Sequence, residues 1–154
     1  MAADPSYLTE PERKTAIGGE YDVVVLGGGP AGIAAAAAAG MHGRKVLLVE
    51  RYGFLGGMGT AAGVTNFCGL HANIHGEIKQ VVHGIADELL SRIERLGGLN
   101  APHIVFGNIL AQAYDTAAYK CAADDLLCRT ASRFFFTLSP PASRWTPKAG
   151  SRPC

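Results

Sequence analysis

EYDVVVLGGGPAGIAAAAAAGMHGRKVLLVE, residues 20–50, is the stretch whose reading decides the fold. Asp22 to Leu26 is short, apolar and β-branched, which predicts a strand buried on both faces of a parallel sheet. Glycines stop it at once. Pro30 then suits the first turn of a helix, where its missing N–H costs nothing. Ala31 to Met41 is rich in the best helix former, Gly43 closes the connection, and Val46 to Val49 is a second buried strand ending at Glu50. Strand, helix and strand within about 30 residues call for a crossover joining two parallel strands.

The turn itself, GGGPAG at 27–32, carries Gly27, Gly29 and Gly32 at GxGxxG spacing. Gly27 allows the sharp exit from the strand. Gly29 lacks the Cβ that would keep a pyrophosphate off the backbone, and Gly32 lets helix and strand approach closely. Free N–H groups and the positive end of the helix dipole then face the phosphates. Alone the spacing is weak evidence. Here a strand precedes it, a helix follows, and Glu50 stands 18 residues past Gly32, where a carboxylate accepts from both ribose hydroxyls of an adenosine. Ala36, Ala39, Gly43 and Val46 supply the small or apolar packing positions. Glu50 would repel a 2′-phosphate, which disfavours NADP despite the adjacent Arg51. The local chemistry leaves NAD and FAD open.

Outward from this unit, residues 51–76 hold seven glycines and no helical period, and predict a long loop packed on something else. From Glu77 to Leu96, Ile78, Val81, Val82, Ile85, Leu89, Ile93 and Leu96 recur at three- and four-residue spacing, predicting a helix stopped by Gly97 and Gly98. A less regular helix is expected over 115–128 with Asp115 as N-cap.

The 154 residues suit one domain with a real core, and 48% apolar with 18% charged is globular composition. Net charge is +1, but residues 1–128 carry all 13 acidic side chains against nine basic ones, so no basic nucleic-acid surface is expected on the folded part. The first twenty residues, polar and acidic with Pro5 and Pro11, read as a flexible arm over 1–19 without a signal peptide's apolar centre. The apolar run Val23–Met41 is broken by Gly27, Gly28, Gly29 and Pro30, so no membrane span is expected. Cys68, Cys121, Cys128 and Cys154 form no CxxC pair, and four reduced thiols in a cytoplasmic protein are expected.

Residues 20–70 resemble the N-terminus of the FAD-dependent oxidoreductase family related to fumarate reductase flavoprotein subunits. The likeness continues through GEIKQVVHGIADELLSRIERLGG and AQAYDTAAYKCAADDLL to about Leu127. RYGFLGGMGT, from Arg51 to Thr60, is similar to the glycine-rich stretch that, in flavoproteins of the glutathione-reductase and fumarate-reductase type, returns over the pyrophosphate toward the flavin. The resemblance implies FAD held by Gly27, Gly29, Pro30, Ala31, Gly32, Glu50, Arg51, Gly56, Gly57 and Met58, the last four through backbone or neighbouring contacts. It also implies a Rossmann-like α/β FAD-binding domain over residues 20–128, incomplete. Hydride or electron transfer would be done by the flavin in the intact family.

His71, His75 and Glu77 invite a metal reading, but a four-residue spacing joins two ligands only on a helix and ANIHG reads as loop, so no metal is expected. Solvated or substrate-facing histidines fit better there. His83 is expected on a helix and partly buried. Cys68 has no second cysteine nearby to act with as a redox pair. Asp124 and Asp125 read as a solvated face, and no catalytic residue or small-molecule substrate is indicated.

After Leu127 the character changes. Residues 129–154 hold five basic side chains, no acidic one, four of the eight prolines and the only Trp. Residues 131–154 can be encoded with G- or C-ending codons, and A at a few positions, so that a second frame, starting each codon at the preceding codon's last base, is open. That frame reads GVAILLHTLAAGVAMDAEGRIAAL, a strand, an acidic turn and a second strand, which resembles the corresponding family segment. The expectation is a non-family tail translated out of frame from near codon 128, and a chain that binds FAD weakly or not at all. A parallel sheet with an unpaired edge is also aggregation-prone. The alternatives are an NAD-binding dehydrogenase domain and a non-catalytic product of a disrupted gene.

Overall fold

The computed structural model describes residues 17–130, Glu12, Lys14 and the backbone of 133–136. Most of the expected arm and tail, Cys154 included, lie outside the described residues. In chain order the elements are β1 (Val23–Leu26), α1 (Pro30–Met41), β2 (Val46–Glu50), a 3-10 turn (Gly57–Gly59), β3 (Asn66–Cys68), β4 (His71–Ile74) and β5 (Glu77–Gln80). They continue with α2 (Ile85–Arg95), β6 (His103–Val105), β7 (Ile109–Ala113), α3 (Thr116–Arg129) and β8 (Arg133–Phe136).

The βαβ unit is present. β1 and β2 run parallel from Val23 opposite Val46 to Leu26 opposite Val49. β8 lies parallel on the far side of β2, so the sheet order is β1-β2-β8. The side chains of α1 that meet the sheet are small: Ile33, Ala36 and Ala37 are buried against Val46 and Leu48. α3 completes this core with Tyr119, Leu126 and Leu127, and α2 adds Leu89 and Ile93. Asp115 caps α3, accepting the Ala118 N–H at 2.7 Å, as its place ahead of the helix predicts.

The remaining strands form a three-stranded antiparallel sheet, β3-β7-β6, and a β4-β5 hairpin. Both overturn expectations. The segment 51–76 is not one loop, because it contains the 3-10 turn, β3 and β4. The helix expected from Glu77 begins only at Ile85. Residues 77–80 pair instead with β4 across His75 and Gly76, whose φ values of 54° and 91° make a two-residue reverse turn. Asn73 Oδ1 accepts the Gly76 N–H at 2.8 Å and fixes that turn. The hairpin pairs the backbone of 77–80 that a helix starting at Glu77 would need for its own first turn.

Gly84 then starts the helix, and Asp87 accepts its N–H at 2.8 Å. That bond, with His83 and Gln80 beside it, holds the Asp87 carboxyl below the usual carboxylate range. Ile78, Val81 and Val82 are consequently exposed, and Leu90 takes an inward position that the spacing had not assigned. His83 precedes the helix and is exposed, 3.3 Å from Asp87.

Two further expectations are corrected. β1 is partly buried on one face, through Val23 and Val25, and open on the other, where Val24 and Leu26 are 54% and 81% exposed. Asp125 is no idle surface group: it bridges Arg92 of α2 and Arg129 of α3, both at 3.0 Å, and Arg129 above all depresses its carboxyl pKa. Cys68 and Cys121 are free thiols.

Candidate functional site

The site is built where β1 gives way to α1. Gly27 turns the chain with φ 96°, a value that L side chains resist, and its N–H still reaches Val49 O at 2.8 Å. Gly32 faces this turn from the first turn of α1. A Cβ there would overlap the Gly27 carbonyl oxygen and touch Val25 at 3.4 Å, so the close helix–strand approach requires glycine. Pro30 opens the helix, and Gly29 caps it through backbone alone. The N–H groups of Ala31 and Gly32 lie in the first helical turn, where no intrahelical carbonyl can accept them.

Glu50 closes the site from the end of β2. Its carboxylate is 6% exposed and accepts two backbone N–H bonds, from Gly28 at 2.6 Å and from Tyr52 at 2.9 Å. Gly28 is the member of the triplet that the GxGxxG spacing leaves unassigned. A Cβ on it would overlap Leu55 and sit 3.2 Å from Glu50 Oε2, so it is glycine for room. Arg51 points outward, donating to the Tyr52 hydroxyl at 2.8 Å and lying over that ring.

The second glycine segment folds back onto the first. Gly56, with φ 113°, donates its N–H to Gly28 O at 2.8 Å. A Cβ on Gly57 would stand 2.8 Å from the Gly29 Cα. Gly56 and Gly57 are thereby brought to the first turn, and Met58 follows with its side chain 66% exposed. Thr60 Oγ1 donates to Leu55 O at 2.8 Å and closes the loop that carries them.

Sequence reading had not singled out Gly28, Leu55, Thr60, Tyr114 or Tyr119, which shape this region. The aromatic pair gives no periodic signal, because Tyr114 ends a strand segment and Tyr119 lies in a helix. The tempting residues are not gathered here by any contact. His71 begins β4 and His75 sits in its turn, so an extended strand separates them. Cys68, exposed, ends β3 opposite Ala111. Among the described residues no three of His, Cys, Asp and Glu converge as a metal ion requires. No described helix is long and apolar enough to cross a membrane.

These features suit a dinucleotide. Two glycine turns pack on each other with no room for a Cβ at Gly28, Gly32, Gly56 or Gly57, the first turn of α1 offers N–H groups without an intrahelical acceptor, and a buried carboxylate ends the adjacent strand. The fold and site define a Rossmann-like α/β dinucleotide-binding domain. The model of the FAD dependent oxidoreductase family matches residues 22–141, and the chain belongs to that family, whose cofactor is FAD. The match runs past the boundary expected at residue 128.

Among solved structures, THI4 of Thermovibrio ammonificans is similar at 18% identity and a TM-score of 0.45, covering 75% of this chain and 38% of its own. NikD in its open form, an unusual amino acid oxidase essential for nikkomycin biosynthesis, is similar at 18% identity and a TM-score of 0.42, covering 75% of this chain and 43% of its own. This chain thus spans less than half the length of either. No curated protein matches it in sequence.

Proposed function

We propose that this chain supplies the ADP-binding half of the FAD site of a flavin oxidoreductase. Bound flavin supplies the hydride or electron transfer. The protein's own part is to bind and orient. In this reading the N–H groups of Ala31 and Gly32 meet the pyrophosphate, Glu50 accepts from the adenosine ribose, and Gly29 and Gly57 leave the room. Gly27, Pro30 and Gly56 hold the two turns, while Arg51 and Met58 flank the entrance. The observation that carries the reading is the docking of the second glycine turn on the first through Gly56 N–H and Gly28 O, 2.8 Å. A turn that served only to join β1 to α1 would need no such partner.

Binding by this chain is expected to be weak, because Val24 and Leu26 leave one face of β1 uncovered. We propose as well that the tail beyond codon 128 is out of frame and that the setting is cytoplasmic, both on sequence composition. Titration of the purified chain with FAD, followed by quenching of flavin fluorescence and competed by ADP, tests the function. Saturable binding relieved by ADP supports it. Tighter binding of NAD than of FAD would replace it with the dehydrogenase reading, and stoichiometric, tightly held flavin would remove the expectation of weakness. DNA sequence across codon 128 decides the reading frame.

A further inference from the structure

The loop that carries the second glycine turn is tied down from a direction the cofactor motif does not specify. Tyr114, just after β7, is 7% exposed, and its hydroxyl donates to Val64 O at 2.6 Å and Gly59 O at 3.1 Å. One proton is thus shared between carbonyls at both ends of residues 59–64. The Tyr114 N–H also donates to Thr65 O at 3.0 Å. Gly59 fits this clasp only as glycine, because a Cβ would lie 2.6 Å from the Tyr114 hydroxyl and 2.5 Å from Tyr119 Cε1. No positive φ forces glycine at this position; the aromatic side chains do.

Between Gly59 and the first glycine turn lies one short path. Gly59 ends the 3-10 turn that begins at Gly57, and Gly57 packs on Gly29. The Ala61 N–H reaches back to Gly57 O at 2.8 Å and ties the loop to the turn. Burial pushes the phenol pKa of Tyr114 up, so the hydroxyl keeps its proton and stays a donor across the working pH range.

We infer that Tyr114 is a positioning residue for the cofactor, holding the Gly57–Gly59 turn against Gly29 through its hydroxyl without touching the dinucleotide itself. The inference rests on the FAD reading above. Nothing in the glycine motif requires a tyrosine 55 residues away from Gly59 in sequence. The two carbonyls need a donor, because the loop offers them none of its own at that point. Phenylalanine would keep the ring, its contacts with Phe67 and Tyr119, and the space, while leaving both carbonyls without this proton.

The test uses the full chain with Tyr114→Phe, and Leu90→Ala of α2 as a control that loses stability away from the loop. Two readouts are taken: amide hydrogen exchange over residues 56–60 without cofactor, and FAD affinity together with the visible circular dichroism of bound flavin. The expected result for Tyr114→Phe is exchange about tenfold faster, FAD affinity about tenfold weaker and an altered flavin band. Leu90→Ala should melt earlier yet bind FAD within about twofold of the parent. Unchanged exchange in Tyr114→Phe overturns the inference whatever the flavin does. So does faster exchange with unchanged FAD affinity, or an equal loss of affinity in Leu90→Ala. A parent chain that binds no FAD, seen separately from the exchange data, overturns the FAD reading and Tyr114's role toward the cofactor with it.

Discussion

Replacing Glu50 by glutamine tests whether the carboxylate at the end of β2 is a strut of the two glycine turns as well as a group offered to a ligand. The two side chains have the same shape. Glutamate presents two acceptor oxygens, and both are used: Gly28 N–H at 2.6 Å and Tyr52 N–H at 2.9 Å. Glutamine keeps one oxygen and turns the other position into a donor. One backbone N–H then faces another N–H, and because Gly28 is buried, water cannot easily repair the loss. Removing a hydrogen bond to a charged group costs about 1.5–3 kcal/mol, and an orphaned buried donor falls in a similar range. Part of this is offset because a buried carboxylate no longer has to be kept out of water. A net loss of about 2 kcal/mol follows, or roughly 4–8 °C in melting temperature for a chain of this size. Urea unfolding of the cofactor-free chain, followed by far-UV circular dichroism, measures it. An unfolding free energy within about 0.5 kcal/mol of the parent's at an unchanged m-value would refute the strut.

Gly32→Ala should give no stable fold in a thermal melt, since its Cβ would overlap the Gly27 carbonyl and neither backbone segment can give way cheaply. Asp115→Ala removes the acceptor for Ala118 N–H and should cost about 1 kcal/mol in urea unfolding, with Asp115→Asn recovering most of it. Asp87 and Asp125 both have carboxyl pKa values held below the ordinary range in the folded chain, so the stability they lend is present above about pH 4 and drains away as pH falls through their folded values. The urea midpoint should therefore be flat from neutrality down to about pH 4 and drop below it, and Asp125→Asn should make that drop shallower.

Legibility in the sequence followed the range of the interaction. β1, α1, β2 and α3 were readable because each is fixed by local signals: a β-branched run, glycines at set spacing, Pro30 at the helix start, Asp115 ahead of α3. The β4-β5 hairpin was misread because apolar residues from Ile78 to Val82 happen to match a helical period. The decisive signal was His75–Gly76, a two-residue turn with positive φ at both positions. β6 and β7 went unassigned, because their residues carry no alternation strong enough to stand apart from loop. Within the site, spacing located the glycine turn and Glu50, but not that Glu50 would bind Gly28 or that Gly28 would need the space beside Leu55. Those facts depend on where the 51–60 segment docks, which no local pattern states. The exposure of Val24 and Leu26 was missed for a similar reason: an apolar strand looks the same in sequence whether one face is covered or two.

α1 lies on the sheet with alanine where most helices place leucine or isoleucine. Ala36 and Ala37 are fully buried, and Ile33 is the one large side chain that α1 buries. Alanine has no rotamers to freeze, so this helix docks with almost none of the side-chain ordering that about 0.5–1 kcal/mol per leucine would otherwise demand. The same economy narrows what the positions accept. Ala35 is exposed and open to substitution, but a longer residue at 36 or 37 must push helix from sheet and drag the first glycine turn along with it. The mutational tolerance of α1 is thus set by the spacing between two backbones, and the helix works as a shim whose thickness sets where the first glycine turn stands.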